Sequence, residues 1–133
     1  MTPFKLEIIT PDRVFFDDNT ENVIVRTTVG DKGILAHHEP YVAALNIGKI
    51  KVMIDGKYRV AAISGGVIKV GRDKTTILAQ SCEWADEIDV ERAKHAKEVA
   101  EERMAAKTSQ RDFDIAEYKL KRALNRIDAA NNK

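Results

Sequence analysis

The distribution of glycine and proline divides this sequence into two parts. All seven glycines and all three prolines precede Glu83, and none occurs after it as far as Lys133. Glycine and proline mark turns and interrupt helices, so the first part suits many short strands and the second suits long helices. We therefore predict an N-terminal β domain over residues 1–84 and a C-terminal helical domain over residues 85–133.

The first part alternates apolar and polar residues in about nine short runs, with turn residues roughly every 8–12 positions. The clearest pair of runs covers residues 49–54 and 57–63, joined by Asp55-Gly56. An Asp-Gly dipeptide between two alternating runs favours a tight hairpin, because both turn residues adopt positive φ. Residues 30–33 and 64–66 are predicted as further turns. The pattern predicts an antiparallel β-sandwich or flattened barrel.

The second part carries two apolar stripes at helical spacing. The first consists of Val90, Ala93, Ala96, Val99, Ala100 and Met104, and the second of Phe113, Ala116, Leu120, Ala123, Leu124 and Ile127. Asp86, with Asp89 three residues on, is the predicted N-cap of the first helix, and Ser109, with Asp112, that of the second. The alanine-rich first stripe allows close approach, which predicts an antiparallel two-helix hairpin and an α+β fold. Such a hairpin either detaches as a switch or stays fixed to the sandwich.

Composition excludes several classes of function. A net charge of +1 gives no electrostatic reason to expect nucleic acid or an anionic membrane surface as a partner. No run of about 18 apolar residues occurs, so no membrane span is predicted. The three histidines, His37, His38 and His95, lack the spacing of metal ligands, and no phosphate-binding glycine loop is present. We predict neither a metal site nor catalysis.

Five short motifs follow one another along nearly the whole chain. They are Thr10-Pro11-Asp12, Gly30-Asp31-Lys32-Gly33-Ile34-Leu35, Ser64-Gly65-Gly66, Lys74-Thr75-Thr76-Ile77-Leu78-Ala79 and Arg122-Ala123-Leu124-Asn125-Arg126. Each is a weak signal alone, but in this order the chain resembles the epsilon subunit of F-type ATP synthase.

That resemblance implies a non-catalytic rotor subunit in the central stalk of a bacterial, proton-translocating enzyme. The sandwich would contact the gamma subunit and the c-ring, with Asp31 and His38 as contact residues. The helices would fold against the sandwich, or extend along gamma toward the alpha/beta catalytic head and inhibit ATP hydrolysis. The subunit would lie at the cytoplasmic face of the cell membrane, as a peripheral protein associated with the membrane only through the complex.

The stretch Ile88-Asp89-Val90-Glu91-Arg92-Ala93 resembles the Ile/Leu-Asp-x-x-Arg-Ala motif of Bacillus-type relatives whose helices bind ATP. Asp89 and Arg92 share a helix face, and a carboxylate suits ribose hydroxyls while a guanidinium suits phosphate. The resemblance further implies that Glu83 accepts from the adenine amino group, that Ile88 contacts the base and that Ala93 leaves room for the ligand.

The second helix is expected to supply the other half of this site. Lys119, Arg122 and Arg126 lie on one face, and like charges at i,i+4 are easier to explain if an anion lies between them. ATP, without a required metal, would bridge the two helices and stabilise the folded, non-inhibitory hairpin. The alternative, without a bound ligand, is that Asp89 only caps a helix and the arginines form a solvent-exposed face.

A second functional hypothesis comes from a different class of protein. The chain could be a stand-alone β-sandwich binding module with a helical oligomerisation tail. Recovery of a gamma subunit in a pull-down would separate a rotor subunit from such a module.

Overall fold

A computed structural model of the chain describes residues 2–106 and 108–131, and it confirms the predicted α+β architecture. Eight strands precede two helices. The strands are β1 (Phe4–Ile9), β2 (Val14–Thr20), β3 (Val23–Thr27), β4 (Gly30–Ile34), β5 (Tyr41–Ile54), β6 (Lys57–Val70), β7 (Lys74–Ala79) and β8 (Cys82–Trp84). The helices are α1 (Val90–Ala106) and α2 (Gln110–Asn131), and a single 3-10 turn (Ala85–Glu87) separates β8 from α1.

The strands follow the order β2-β1-β7-β6-β5-β3-β4, and β8 pairs with β6 outside this path. One pair, β1 with β7, is parallel, whereas β1–β2, β3–β4, β3–β5, β5–β6, β6–β7 and β6–β8 are antiparallel. The parallel pair is a departure from the predicted antiparallel pattern. In the sheet, β1 lies between β2, which follows it in the sequence, and β7, which comes last in the sequence among the strands of this path.

Strand β6 contributes to two separate apolar clusters. Its residues Ala61 and Ile63 face the core of the sandwich, which includes fully buried side chains such as Ile50 and Ile77. Val60 and Ala62 point to the opposite face and pack in a second cluster. The other members of that cluster are Ala85, Ile88, Ala129 and Ala130, with Val90 packed against it. Because side chains alternate along a strand, one short segment supports both the sandwich and the hairpin.

Two of the predicted turns are wrong. Residues 30–33 belong to β4, where they pair with β3, with Thr27 opposite Gly30 and Val25 opposite Lys32. Pairing with a neighbouring strand therefore overrides the low strand propensity of the two glycines. Residues 64–66 lie within β6. The predicted count of nine strands becomes eight, because β5 and β6 each join two of the predicted runs and β8 was not predicted.

Gly65 and Gly66, which were predicted to form a turn, lie where β6 changes the strand with which it pairs. Residues 61–63 pair with β8, and Gly66 begins the pairing with β7. Gly65 and Gly66 both have positive φ, of 104° and 153°. By contrast, the predicted Asp55-Gly56 hairpin is confirmed, with φ of 52° and 80° and with Ile54 opposite Lys57.

The start of the first helix also differs from its prediction. Asp86 lies in the 3-10 turn rather than at the N-cap of α1, because Arg59 on β6 donates to its carboxylate at 2.9 and 3.2 Å. Arg59 also lies over the ring of Trp84, with its guanidinium carbon 4.2 Å from the ring centroid. Ile88 is extended and separates this turn from α1. The chain therefore enters α1 three residues later than predicted.

Helix α2 docks on β5 and β6 through a row of polar contacts. The Asn125 side-chain amide donates to the carbonyl oxygens of Gly48, at 2.8 Å, and Ile63, at 3.3 Å. Lys49 pairs with Asp128 at 2.8 Å, and the apolar cluster around Ala129 and Ala130 closes the C-terminal end. Within residues 2–106 and 108–131, no helix has the length and hydrophobicity that a membrane-spanning segment requires.

Replacing Asn125 with alanine is expected to loosen the hairpin without unfolding the sandwich. The substitution leaves two strand carbonyls without their amide donor, which should destabilise the docked hairpin by about 1–2 kcal/mol. Amide hydrogen exchange of α2 should rise while exchange of β5 and β6 stays close to that of the wild type. Asn19→Ala, at an exposed position on β2, is the control, and equal effects of both variants would contradict a docking role for Asn125.

Candidate functional site

The two helices pack through small side chains. Ala93 and Ala100 on α1 and Ala116 and Ala123 on α2 are all buried, at 0–2% exposure. Arg103, near the end of α1, lines a cavity together with residues at the start of α2. Arg92, near the start of α1, lines another together with Arg126, near the end of α2, so the helices are antiparallel. Alanine at the contact brings the helix axes close, and longer side chains on either side of the contact then form the walls of a groove.

That groove, which we term the basic groove, has a volume of about 360 Å³. Its lining residues are Arg92, His95, Ala96, Val99, Ala100, Arg103, Lys119, Arg122, Ala123 and Arg126. Five of these side chains are cationic, and no carboxylate lines the groove among the residues that the structure describes. Residues 85–133 contain eleven acidic and eleven basic residues. The helical domain is thus neutral as a whole, but its charges are segregated.

Arg122 lies between the groove and the sandwich. Its Nη2 is 3.5 Å from Ser81 Oγ, and its guanidinium carbon lies 5.8 Å from the centroid of the Tyr118 ring, one turn earlier on α2. Ser81 Oγ in turn lies 2.5 Å from Ser64 Oγ. These neutral partners orient the guanidinium but leave its charge uncompensated, so the charge remains available to an anion.

Arg126, in contrast, is already paired. Its Nε and Nη2 donate to the two carboxylate oxygens of Glu83, the second at 3.3 Å. Glu83 lies on β8, so this ion pair joins α2 to the sandwich across 43 residues of sequence. Both side chains are about three-quarters shielded from solvent, at 23% and 32% exposure.

Asp89 is the N-cap of α1. Its Oδ1 accepts from the backbone N–H of Arg92 at 3.0 Å, which satisfies one of the free amide groups of the first turn. Ser109 caps α2 in the same way, through the N–H of Asp112 at 3.0 Å, as predicted. The Asp89 residue is exposed, at the start of the helix that contributes Arg92 to the groove.

Loss of this cap is expected to weaken α1 before any ligand is considered. Asp89→Ala should destabilise the helix by about 1 kcal/mol, whereas Asp89→Asn should retain the stability because asparagine caps equally well. Hydrogen exchange at the first turn of α1 measures the difference. If the two variants lose the same protection, the carboxylate acts through charge rather than through the cap.

The structure brings together only part of the predicted ligand set. Arg92, Arg122 and Arg126 line one groove, as do Lys119 and Arg103. Ile88 and Ala93 are buried, at 9% and 0% exposure, and do not appear on its walls. Sequence reasoning missed His95 and Ser81. His95 could have been found, since it lies three residues after Arg92 on the same helix face, whereas Ser81 gave no signal.

The two residues predicted to contact a partner lie elsewhere, on the sandwich. Asp31 on β4 pairs with Arg26 at 2.9 Å, and this hydrogen-bonded guanidinium lowers the pKa of Asp31. His38 Nδ1 lies 2.7 Å from the Glu39 carbonyl oxygen. Large apolar side chains near them are exposed, most of all Val29 at 90%. The described parts of the chain contain no group of three or more His, Cys, Asp or Glu residues that could hold a metal ion.

Each half of the chain matches the model of a known protein family. A family model described as the β-sandwich domain of the ATP synthase delta/epsilon chain matches residues 3–85. A second, described as the long alpha-helix domain of the same chain, matches residues 86–131. The two matches together span nearly the whole sequence.

Three curated proteins named ATP synthase epsilon chain are similar over almost their full length. The protein from Ruminococcus albus is 48% identical over 100% of both chains. The protein from Caldicellulosiruptor bescii is 45% identical, covering 98% of this chain and 95% of its own. The Bacillus velezensis protein is 46% identical, covering 99% and 100%.

Two solved structures share the fold. A chain in the cryo-EM structure of the Euglena gracilis mitochondrial ATP synthase, OSCP/F1/c-ring in rotational state 1, has a TM-score of 0.83 and 25% identity. The match covers 98% of this chain and 82% of that one. A chain of the Tetrahymena thermophila mitochondrial ATP synthase central stalk and c-ring has a TM-score of 0.63 at 11% identity, a likeness of fold alone, over 97% of both.

Proposed function

The chain belongs to the epsilon-chain family of ATP synthase, and from that membership we propose that its helical hairpin is a regulatory element that binds ATP. As an epsilon chain it is a non-catalytic subunit of the ATP synthase complex. Membership over the full length leaves no support for the alternative of a stand-alone module with an oligomerisation tail. The proposal concerns what the hairpin does within the complex.

The observation that carries the proposal is the segregation of charge in the basic groove. Five cationic side chains converge there from both helices, and no carboxylate lines the groove in the described chain, although Arg126 pairs with Glu83 beside it. A triphosphate carries up to four negative charges, so it matches such a groove better than a singly charged ligand does. The proposed ligand is ATP without a required metal.

In the proposed complex, Arg92, Arg122 and Arg126 hold the phosphates. The free oxygen of Asp89 accepts from a ribose hydroxyl, and Glu83 accepts from the adenine amino group. Ile88 supports the base from the adjacent apolar cluster, and Ala93 keeps the helices close enough for both to reach one ligand. The three arginines line the basic groove, whereas the roles of Asp89, Glu83, Ile88 and Ala93 rest on the resemblance of the sequence motif.

ATP bound between the helices would act as a switch. Phosphates held by Arg92 on α1 and Arg122 on α2 require the folded hairpin, so ATP binds the folded form more tightly than an extended one. A ligand shifts a conformational equilibrium only by such a difference in affinity. High ATP therefore favours the folded, non-inhibitory state. When ATP is scarce, the helices extend along gamma toward the alpha/beta head and restrain ATP hydrolysis.

The sandwich is the proposed anchor in the rotor. Two exposed apolar residues, Val67 and Leu78, lie opposite each other on β6 and β7, and the half-buried Ile9 lies beside Leu78 on β1. A row of this kind suits a protein partner, and we assign it to the gamma subunit. Asp31 and His38 are assigned to contacts with gamma or the c-ring. The subunit is thereby held at the cytoplasmic face of the bacterial membrane, as a peripheral part of a proton-translocating complex.

Deleting residues 86–133 tests the inhibitory role. Because the sandwich core does not use the hairpin, the remaining part should fold and assemble with gamma. ATP hydrolysis by the complex should then rise above that of the complex with the full chain, most clearly at low ATP. Unchanged hydrolysis, with assembly verified by recovery of gamma, would contradict an inhibitory hairpin.

A further inference from the structure

We propose that Glu83 is a resident counter-anion that competes with a polyphosphate for Arg126, so that it limits the affinity of the basic groove for anions. This inference rests on the proposed anion-binding function of that groove. Glu83 thereby has two successive partners. In the ligand-free chain it holds Arg126, and once displaced it is free to accept from another donor, such as an adenine amino group.

The geometry of the pair supports displacement. Nε and Nη2 of Arg126 both point to the Glu83 carboxylate, which occupies one edge of the guanidinium with a bidentate contact. Bidentate pairing is also how arginine binds phosphate, so a phosphate that uses Nε and Nη2 competes with Glu83 for the same donors. A phosphate oxygen that binds this edge must replace a carboxylate oxygen, and it cannot simply be added beside it.

The pairing with Glu83 makes the competition specific to Arg126. Arg122 and Arg126 both line the basic groove and a small space of about 10 Å³ beneath α2, which Glu83, Ser81 and Asn125 also line. That space holds at most about one water molecule, so a polyphosphate cannot reach the pair from below. An anion that binds Arg126 therefore approaches it from the basic groove, which Arg126 also lines.

Among the five groove cations, Arg126 is the one with a carboxylate partner in the part of the chain that the structure describes. Arg122 has neutral partners, a serine hydroxyl and a tyrosine ring. In the described chain, an incoming anion therefore meets four cations without a carboxylate partner and one, Arg126, that has such a partner. The Glu83–Arg126 pair also joins β8 to α2. When a phosphate takes the place of Glu83, α2 loses this ion pair and gains a contact with the phosphate.

Inorganic tripolyphosphate is the probe that isolates this competition, because it has no base for Glu83 to contact. Calorimetric titration compares the wild-type chain with Glu83→Gln and Glu83→Asp. Glu83→Gln should bind tripolyphosphate about three- to tenfold more tightly, as expected for loss of a partly exposed competing ion pair. Glu83→Asp keeps the charge but shortens the side chain by one methylene, and should also bind more tightly because it cannot reach Arg126 in the same geometry.

Glu87→Gln is the matched control. It removes one acidic charge near the same end of the sandwich, but from an ion pair with Arg59 that lies outside the groove. Its affinity for tripolyphosphate should stay within about twofold of the wild type. Helix content by circular dichroism confirms that each variant keeps its hairpin, which Asn125 and the Lys49–Asp128 pair still hold.

The outcomes separate this inference from the proposed function. If the wild type binds ATP but Glu83→Gln binds tripolyphosphate no more tightly, displacement of Glu83 is wrong and the ATP site stands. If Glu83→Gln gains affinity and Glu83→Asp does not, the effect is one of net charge, which also overturns the exchange of partners. If no variant binds either ATP or tripolyphosphate, both the ATP site and the inference fail.

Discussion

Replacing Gly66 with alanine is expected to destabilise the sandwich by about 3 kcal/mol or more, one of the largest effects of a single methyl group in this chain. A Cβ at this position would lie 2.0 Å from the carbonyl oxygen of Leu78, a backbone atom of the paired strand β7. The φ of 153° adds strain for any residue with a side chain. Relief requires β6 and β7 to separate, which breaks the ladder.

Gly56→Ala is the matched control for this prediction. Gly56 also has positive φ, of 80°, but a Cβ there meets no heavy atom within 4 Å. Its replacement should cost about 1 kcal/mol, from backbone strain alone. Urea unfolding, followed by the fluorescence of Trp84 in the sandwich core, measures both variants. If Gly66→Ala is no less stable than Gly56→Ala, the close approach of β6 and β7 has no energetic importance.

Replacing Arg122 with alanine is expected to weaken ATP binding by at least about tenfold, and Arg122→Glu by about 100-fold or more. Arg122 lines the basic groove from α2 and has no carboxylate partner in the described chain. Its charge is therefore available to the phosphates. Reversal of that charge both removes a donor and introduces repulsion. Calorimetric titration of ATP measures the loss.

Lys121→Ala provides the control for position and for net charge. Lys121 is the adjacent residue on α2, but it is exposed, pairs with Glu117 and lies outside the basic groove. Its loss should change ATP affinity by less than about twofold, since exposed charges are screened by solvent and salt. Equal losses in Lys121→Ala and Arg122→Ala would mean that ATP responds to the overall charge of the helix rather than to the groove.

The fold was largely predictable because its strongest signals are local. The Asp55-Gly56 turn and the helical stripes depend on residues adjacent in sequence. The errors arose where partners distant in sequence decide the outcome. Residues 30–33 extend because β3 is available to pair with them. Gly65 and Gly66 look like a turn but instead allow β6 to change partner from β8 to β7.

The candidate site, like the fold, could be predicted only in part from the sequence. The convergence of Arg92, Arg122 and Arg126 follows from helical spacing together with the antiparallel hairpin, and both could be read from the sequence. The pairing of Glu83 with Arg126 could not, because it depends on where β8 lies relative to α2. The burial of Ile88 likewise depends on Ala129 and Ala130, some 40 residues later in the chain.

The central claim is that ATP binds the basic groove and holds the hairpin folded. Amide hydrogen exchange of the isolated chain, with and without ATP, tests it most directly. At about 100 times its dissociation constant, ATP should stabilise the folded hairpin by about 2.7 kcal/mol. Exchange in α1 and α2 should then slow by about 100-fold in the wild type, with no such change in Arg122→Glu. Saturation with ATP that leaves exchange in both helices unchanged would contradict the claim.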